Sequence, residues 1–260
     1  MILDEIARET KERIEKKKKE VPLYLVRERA ENLDSLKAGS FPFEEALKKP
    51  GLSFICEVKK ASPSKGVIAD RFPYLEIAME YESAGADAIS CLTEPFRFLG
   101  RDEYLDEISR LVTIPVLRKD FTVDDYMIYE AKALGASAVL LIAAILDDAQ
   151  LKDYFALARE LKLSAIMEAH DEKEVERVLK AGGNIIGVNN RNLKDFTVDI
   201  NNSIRLRHMV PRDRIFISES GIRTEDDITA LYENGTDAVL IGETLMRASD
   251  RAGLIKRFKR

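Results

Sequence analysis

The stretch Ser53–Gly66, SFICEVKKASPSKG, decides how the fold is interpreted. Its first half has the apolar and β-branched side chains of a buried strand, but Glu57 and Lys59 place charges at the end of that strand. Side chains two apart in a strand share a face, so this carboxylate and this ammonium must be paired, solvated or used in chemistry. A strand that ends in charges and continues into a loop of serines, lysine and glycine is typical of sites at the carboxyl ends of parallel strands.

Composition bounds the class of protein. The chain has 260 residues, 45% of them hydrophobic, which is enough to bury the core of one large α/β domain. Its 41 Lys and Arg residues stand against 46 Asp and Glu, and this net charge of -5 does not favour nucleic acid or an anionic membrane as a partner. The two cysteines, Cys56 and Cys91, lie in apolar runs, as is usual in a reducing compartment. With no signal peptide or membrane-length apolar run, the sequence predicts a cytoplasmic protein.

From residue 53 onward, short apolar strands alternate with amphipathic helices. We predict strands at 54–59, 87–92, 115–119, 137–142, 164–169, 185–189, 214–219 and 237–241 and helices at 74–84, 102–111, 124–134, 147–162, 171–181, 200–208, 224–233 and 244–258. Residues 1–50 are predicted to be an N-terminal helical extension packed on this domain, with helices at 2–18 and 43–48. The lysine-rich run 15–20 is interpreted as the solvated end of the first helix.

An internal repeat favours a closed sheet. Gly85, Gly135, Gly182 and Gly235 recur about every 50 residues, each where a helix should end and a strand begin. Two strand-helix units repeated four times predict a single (β/α)8 TIM barrel domain over 1–260. An open doubly wound sheet is the alternative, although no Gly-rich dinucleotide motif follows any of the predicted strands.

Charged and amide side chains stand at the ends of several predicted strands. A packed barrel centre prefers branched aliphatic residues, so these groups cost stability unless they are paired or used in chemistry. A structural ion-pair network is the alternative interpretation. His170, two residues after Glu168, is a candidate partner for it, and no spaced set of His, Cys and Asp residues predicts a metal site. The candidates are Glu57, Lys59, Lys119, Glu168, Asn189, Arg191 and Glu219.

Glycines after the last two strands indicate an anion site. Gly221 and Gly242 stand where backbone N–H groups would approach a ligand, and Thr244 opens the last predicted helix. In this fold the loops after strands seven and eight usually bind phosphate, and Ser62 could close the site from the first strand. The alternative is that both glycines only make tight turns. Glu243 fits an anion site only if its side chain points away.

Six motifs in order resemble the indole-3-glycerol-phosphate synthase family. They are EVKKASPSKG at 57–66, LTEPFRF at 92–98, RKDF at 118–121, GVNNRNL at 187–193, SESGI at 218–222 and GETLM at 242–246. The resemblance covers essentially the whole chain. It implies a carboxy-lyase of tryptophan biosynthesis that converts 1-(2-carboxyphenylamino)-1-deoxyribulose 5-phosphate into indole-3-glycerol phosphate. Ring closure, decarboxylation and dehydration would proceed with no metal or organic cofactor.

The resemblance also implies roles for the candidate residues. Lys119 would be a general acid toward the ribulose carbonyl, and we expect its environment to lower its pKa. Glu168 would stabilise charge on the ring nitrogen and handle a proton, while Lys59, oriented by Glu57, would bind the substrate carboxylate or act as the second acid. The division of ring closure and dehydration between the two lysines stays open. The remaining implied roles are positioning by Asn189, Arg191, Glu219 and Ser220, an anthranilate wall of Phe96, Phe121 and Leu140, and phosphate binding by Ser62, Gly221, Gly242 and Glu243.

The predicted partner is therefore a small phosphorylated substrate, with no nucleic acid and no membrane. We expect a monomer that associates at most weakly with other enzymes of the pathway. Two other functions compete with this prediction. One is another phosphate-binding barrel, such as phosphoribosylanthranilate isomerase, and the other is a catalytically silent barrel that only binds a phosphorylated ligand.

Overall fold

The computed structural model describes residues 2–34, 40–192 and 195–259. Met1, residues 35–39, Leu193, Lys194 and Arg260 lie outside the described residues. The predicted extension 1–50 is therefore described at 2–34 and 40–50, and the motif at 187–193 is described up to residue 192. Within these ranges every helix is too short or too polar to span a lipid bilayer.

Eight parallel strands close into a barrel, as predicted. Each lies within one residue of its predicted bounds, and the last strand pairs with the first. Two further short segments form an antiparallel hairpin directly after the first strand. In chain order the strands are β1 (Ser53–Val58), the hairpin strands β2 (Ala61–Ser62) and β3 (Gly66–Val67), then β4 (Ala88–Leu92), β5 (Val116–Lys119), β6 (Ala138–Ile142), β7 (Ser164–Ala169), β8 (Ile185–Asn189), β9 (Ile215–Glu219) and β10 (Ala238–Ile241).

The helices alternate with the barrel strands, with two departures from prediction. The helix expected at 244–258 is two helices, because the chain breaks after Arg247 and Asp250 then caps a new helix by accepting a hydrogen bond from the Gly253 N–H. The helix at Leu23–Asp34 was not predicted. The helices are α1 (Ile2–Glu20), α2 (Leu23–Asp34), α3 (Pro42–Leu47), α4 (Tyr74–Ser83), α5 (Asp102–Leu111), α6 (Asp125–Ala133), α7 (Asp148–Glu160), α8 (Glu172–Lys180), α9 (Asn201–Leu206), α10 (Glu225–Glu233), α11 (Glu243–Arg247) and α12 (Arg251–Phe258).

Side-chain alternation along the strands divides the core into two apolar clusters. In β1, Ile55 belongs to the cluster inside the barrel, while Phe54 and Cys56 pack outward against the helices. The inner cluster consists mainly of branched aliphatic residues from seven of the strands, as a closed barrel requires. Phe43 and Leu47 of α3 join this inner cluster. The same parity that buries Cys56 outward points Glu57 to the inside.

Several ion pairs connect α1 with the barrel. Arg13 lies 2.9 Å from Asp120, and Lys18 lies 2.7 Å from Asp124. Lys17 contacts two acidic side chains of the barrel, each at 2.5 Å. Because Lys17 and Lys18 are paired, the interpretation of the run 15–20 as merely the solvated end of the helix is wrong for these two lysines.

Candidate active site

A cavity of about 430 Å³ opens at the carboxyl ends of the barrel strands. The structure brings nearly all the predicted site residues to its wall. Those that line it are Glu57, Lys59, Ser62, Lys119, Phe121, Leu140, Glu168, Asn189, Arg191, Glu219, Ser220, Gly221, Gly242 and Glu243. The convergence expected from the strand ends is therefore present in the fold.

Lys119, the last residue of β5, is the centre of the charge cluster. Its Nζ lies 2.5 Å from Glu219 Oε2 and 3.3 Å from Glu168 Oε2. Burial alone would lower the pKa of Lys119, but the negative charges of Glu219, Glu168 and Glu57 outweigh it and raise that pKa above its ordinary value. The expected lowering of the Lys119 pKa is therefore wrong, because the charges that act most strongly on this ammonium are those of carboxylates.

The two carboxylates beside Lys119 are shifted in opposite directions. For Glu168, burial by itself raises the pKa, but Lys119, His170 and the Asn189 amide together bring it below its ordinary value. For Glu219, burial and the charge of Glu168 prevail over Lys119 and raise the pKa to about 7. Two carboxyl groups with separated pKa values on one ammonium can divide acid and base roles between them. Glu168 is the ionised member, and Glu219 titrates near neutral pH.

A second lysine, Lys59, lines the same cavity at the end of β1, which is separated from β5 by a single strand. Lys59 Nζ is 2.7 Å from Glu57 Oε1, and the Ser90 hydroxyl donates a hydrogen bond to Glu57 Oε2 at 3.2 Å. Glu57 is buried and Lys59 is mostly buried. Glu57 and Lys59 are therefore paired on one face, as the alternation of side chains along β1 predicts. This geometry holds Lys59 in one orientation toward the cavity.

Two glycines make room for these carboxylates. A Cβ atom on Gly242 would collide with the Glu57 carboxylate and stand 2.8 Å from Lys59 Nζ. A Cβ atom on Gly187 would collide with the Glu219 carboxylate. Since barrel interiors are otherwise closely packed, the missing side chains provide the space that the charged groups occupy.

The loops after β1, β9 and β10 form the polar end of the cavity. The Ser62 hydroxyl is buried and meets no hydrogen-bond partner among the described residues. Ser220 and Gly221 both have left-handed backbone conformations, with φ of 70° and 84°. Such a turn points consecutive backbone N–H groups into a concavity that suits an anion.

Several cations surround this polar end. Glu243 lies 3.2 Å from Arg247 Nε and 3.8 Å from Arg191 Nη2, so its negative charge is offset within the protein. Arg191 also donates a hydrogen bond to Ser64 Oγ at 3.2 Å. Arg223 and Arg247 also line the cavity. Arg223 belongs to the loop after β9 that the sequence indicated as an anion site, although no role was predicted for its side chain, whereas Arg247, at the end of α11, was missed by sequence reasoning.

The apolar wall differs from prediction in one residue. Phe121 and Leu140 line the cavity, but Phe96 lies outside it and is 57% exposed, so its predicted place on the wall is wrong. Phe98 takes that place, with its ring centroid 6.0 Å from that of Phe121. The reason is Glu94, whose carboxylate accepts the backbone N–H groups of residues 96, 97 and 98 at 2.7 to 2.9 Å. This tight turn directs one phenylalanine outward and the other inward.

Helix α1 supplies a part of the wall that the sequence did not indicate. Ile2, Leu3 and Ile6 line the cavity and pack near Phe121. The available signal was the apolar stripe of an amphipathic helix, which does not say what the stripe covers. Among the described residues, no group of three or more His, Cys, Asp or Glu side chains is arranged to hold a metal ion.

Comparisons with known proteins agree with this geometry. The family model described as indole-3-glycerol phosphate synthase matches residues 3–258. A protein of that name from Ruminiclostridium cellulolyticum is 58% identical over 250 residues, covering 96% of this chain and 95% of that protein. One from Endomicrobium trichonymphae is 52% identical over 259 residues, covering both chains completely.

A solved structure of 3-hexulose-6-phosphate synthase superposes with a TM-score of 0.65 over 80% of this chain and 98% of the other. It is only 14% identical to this chain, so it supports the barrel fold alone.

Proposed function

Because this chain belongs to the indole-3-glycerol phosphate synthase family, we propose that Lys119, Glu168 and Lys59 perform that activity in the charged cavity. The enzyme is a carboxy-lyase of tryptophan biosynthesis that forms indole-3-glycerol phosphate from 1-(2-carboxyphenylamino)-1-deoxyribulose 5-phosphate. One observation carries the assignment of roles. The Lys119 ammonium lies against two buried carboxylates whose pKa values are shifted in opposite directions, in the same cavity as the polar end formed by the loops after β1, β9 and β10.

In ring closure, the aromatic carbon that bears the carboxylate attacks the ribulose carbonyl, and negative charge develops on the carbonyl oxygen. Lys119 supports this step as a cationic hydrogen-bond donor that stabilises the oxygen and delivers a proton to it. Its raised pKa keeps it protonated before the substrate reacts. Departure of carbon dioxide then restores the aromatic ring.

Dehydration needs one more acid and one base. Lys59, held by Glu57 at 2.7 Å, donates a proton to the leaving hydroxyl or binds the substrate carboxylate before it leaves. Glu168 accepts a proton from the reacting carbon and stabilises positive charge on the ring nitrogen, for which its lowered pKa keeps it ionised. The two lysines can exchange these roles, and both are proposed to be catalytic.

The remaining residues bind and orient the substrate. We assign the phosphate to Ser62 and to the backbone N–H groups of Gly221, Gly242 and Glu243, because the Ser62 hydroxyl has no protein partner among the described residues. The positioning set is Asn189, Arg191, Glu219 and Ser220, and the anthranilate wall is Phe98, Phe121 and Leu140.

The proposed site is complete within one chain, and this supports activity as a monomer. Weak association with other enzymes of the pathway stays a prediction. The free cysteines Cys56 and Cys91 are buried and unpaired with each other, which supports a cytoplasmic location.

The deciding experiment follows product fluorescence when purified protein meets the substrate in the presence of chelator. Lys119→Ala should lower kcat about a hundredfold or more while leaving product affinity nearly unchanged. Arg110→Ala is the matched control, since that cation is exposed on α5 and far from the cavity. Full turnover by Lys119→Ala would refute the role of Lys119. A folded wild-type protein with no turnover of this substrate would refute the proposed activity and leave the isomerase or a catalytically silent barrel as the function.

A further inference from the structure

His170 lines a second cavity beside the substrate cavity and contacts Glu168, which lines the substrate cavity. The second cavity is lined by His170, Asp171 and Glu174 together with Asn201, Asn202 and Arg205. Asn189 and Arg191 line both cavities, so the two are neighbours. His170 itself is mostly buried, with its side chain 16% exposed. It belongs to the substrate cavity only through its contact with Glu168.

Both ring nitrogens of His170 face carboxylates. Nδ1 lies 3.0 Å from Glu174 Oε2 on α8, and Nε2 lies 3.4 Å from Glu168 Oε1 at the end of β7. No closer acceptor meets Nε2 among the residues that the structure describes. A contact of 3.4 Å is long for a hydrogen bond, but hydrogen bonds of this kind often shorten when substrate is bound. The same Glu174 oxygen also accepts a hydrogen bond from the His170 backbone N–H at 2.8 Å, which holds the Glu174 carboxylate against the imidazole.

These contacts continue inward to the acid. Glu168 Oε2 lies 3.3 Å from Lys119 Nζ, while its other oxygen faces His170. A line of proton-carrying groups therefore runs from Lys119 through Glu168 and His170 to Glu174, and its longest step is the 3.4 Å contact between His170 Nε2 and Glu168, which must shorten to become a hydrogen bond. Glu174 has its side chain 18% exposed, at the second cavity.

The reaction requires a proton from outside the site. The substrate carboxylate leaves as neutral carbon dioxide and the hydroxyl leaves as neutral water, so the negative charge of the carboxylate is cancelled by uptake of one proton per turnover. Within the site, the carbonyl oxygen takes one proton, the departing hydroxyl takes a second, and the base recovers only one from carbon. After each turnover the ionisable groups are one proton short, while bound substrate or product occupies the mouth.

We propose that His170 is the relay through which this proton enters, from solvent at Glu174 to Glu168 and on to Lys119. His170 does not line the substrate cavity, so it is a relay and positioning residue rather than a catalytic one. The inference rests on the proposed role of Glu168. Each transfer moves a proton along an existing contact: the neutral ring, protonated at Nε2, takes a proton at Nδ1 from the Glu174 carboxyl, and the resulting imidazolium gives its Nε2 proton to the Glu168 carboxylate. The ring, now neutral and protonated at Nδ1, returns to the Nε2 tautomer by proton exchange with water before the next turnover.

The charges around the ring suit a relay. Burial by itself would lower the pKa of His170, but Glu174 on α8, Glu168 on β7 and Glu219 on β9 together raise it above its ordinary value. From α9, Asn202 donates a neutral hydrogen bond to the His170 carbonyl oxygen, and Arg205 is the cation on that helix that lines the second cavity. Acidic groups thus surround the ring and favour its protonated form.

His170→Gln separates relay from mere support, because the amide can still donate a hydrogen bond toward Glu168 but cannot exchange protons. We expect kcat to fall about tenfold or more, with KM within about threefold of wild type. Added imidazole should restore kcat in a saturable manner, because a small buffer can carry protons in place of the missing ring. The matched control is His208→Gln, which alters the other histidine of the chain, exposed on a surface turn, and should behave as wild type.

A second variant covers the case in which His170→Gln folds poorly. Glu174→Gln leaves His170 and Glu168 in place and changes only the outer end, and it too should lose kcat in a way that imidazole restores. Unchanged kcat in both variants, or a loss that imidazole never restores, would overturn the relay. Full turnover by Glu168→Gln would overturn the role of Glu168 instead, so the two failures are distinguishable.

Discussion

At the scale of single residues, Glu219 and Glu168 have opposite effects on stability as pH changes. Glu219 has a folded-state pKa of about 7, above the ordinary value of 4.5. Its contribution to stability is therefore fully present below about pH 4.5 and is lost as the pH rises through 7. Glu168 has a lowered pKa, so its contribution is present above pH 4.5 and is lost as the pH falls.

Glu219→Gln removes the titration of residue 219. We expect the free energy of unfolding of wild type, relative to this variant, to decrease between pH 5 and pH 8 by about 3 kcal/mol at most. Urea denaturation at each pH measures the difference. Glu168→Gln is the matched comparison. The free energy of unfolding of wild type, relative to Glu168→Gln, should decrease as the pH falls below 4.5. A Glu219 difference that stays constant or grows with pH would contradict the assignment.

Sequence reasoning located most of these side chains but not their surroundings. The alternation of side chains along each strand was sufficient to predict that Glu57, Lys59 and Glu168 line one cavity, because this alternation depends only on neighbouring residues. The direction of the Lys119 pKa depends on carboxylates 49 and 100 residues away in the chain, and only folding reveals their distance. Phe96 and Phe98 share one parity and could not be told apart before the turn made by Glu94 was known.

At the scale of elements, α1 is both part of the core and part of the cavity wall. Ile6 lines the cavity and packs in the inner cluster, whereas Ile14 packs in the outer cluster. Both side chains are at most 2% exposed. The same helix thus offers two equivalent apolar residues, only one of which can meet the substrate.

Ile6→Ala and Ile14→Ala should each lower the free energy of unfolding by about 2 to 4 kcal/mol, because each deletes buried methyl groups and leaves a cavity. Only Ile6→Ala should raise KM, by several-fold, since it also removes apolar surface from the substrate cavity. Chemical denaturation and steady-state kinetics on both variants check this. Equal KM values in the two variants would mean that α1 only supports the fold.

The barrel strands were predictable as elements, while two helical features were not. Each strand is a short apolar run bounded by turn residues, and this local signal is strong. Helix α2 (Leu23–Asp34) is rich in charge and has little apolar periodicity, so its formation depends on packing against α6. The break between α11 and α12 depends on the Asp250 cap, a weaker signal than the apolar pattern that runs across it.

At the scale of the whole molecule, a buried ion cluster joins the extension to the barrel. Arg118 of β5 is 3% exposed and lies 2.7 Å from both Asp102 and Glu130. Lys17 of α1 contacts the same two carboxylates. The sequence could not predict this cluster, because Lys17 and Asp102 are 85 residues apart.

Arg118→Leu should therefore destabilise the protein by about 3 to 5 kcal/mol, because it leaves buried carboxylates without their main cation. Arg110→Leu is the control, since the Arg110–Asp106 pair is exposed and should contribute less than about 1 kcal/mol. Equilibrium unfolding of both variants gives the two values. A single unfolding transition is expected in each case, because α1 also packs into both apolar clusters of the core and these contacts do not involve Arg118.

Gly187 and Gly242 bear on how this scaffold can diverge over evolutionary time. The carboxylates of Glu219 and Glu57 occupy space that side chains at these two positions would fill. A lineage that acquired alanine at either one would retain every reactive residue, yet those residues would be displaced from one another. Loss of the activity is thus one small mutational step away at places that carry no charge. Descendants of this chain with new chemistry are consequently to be sought among those that filled either glycine.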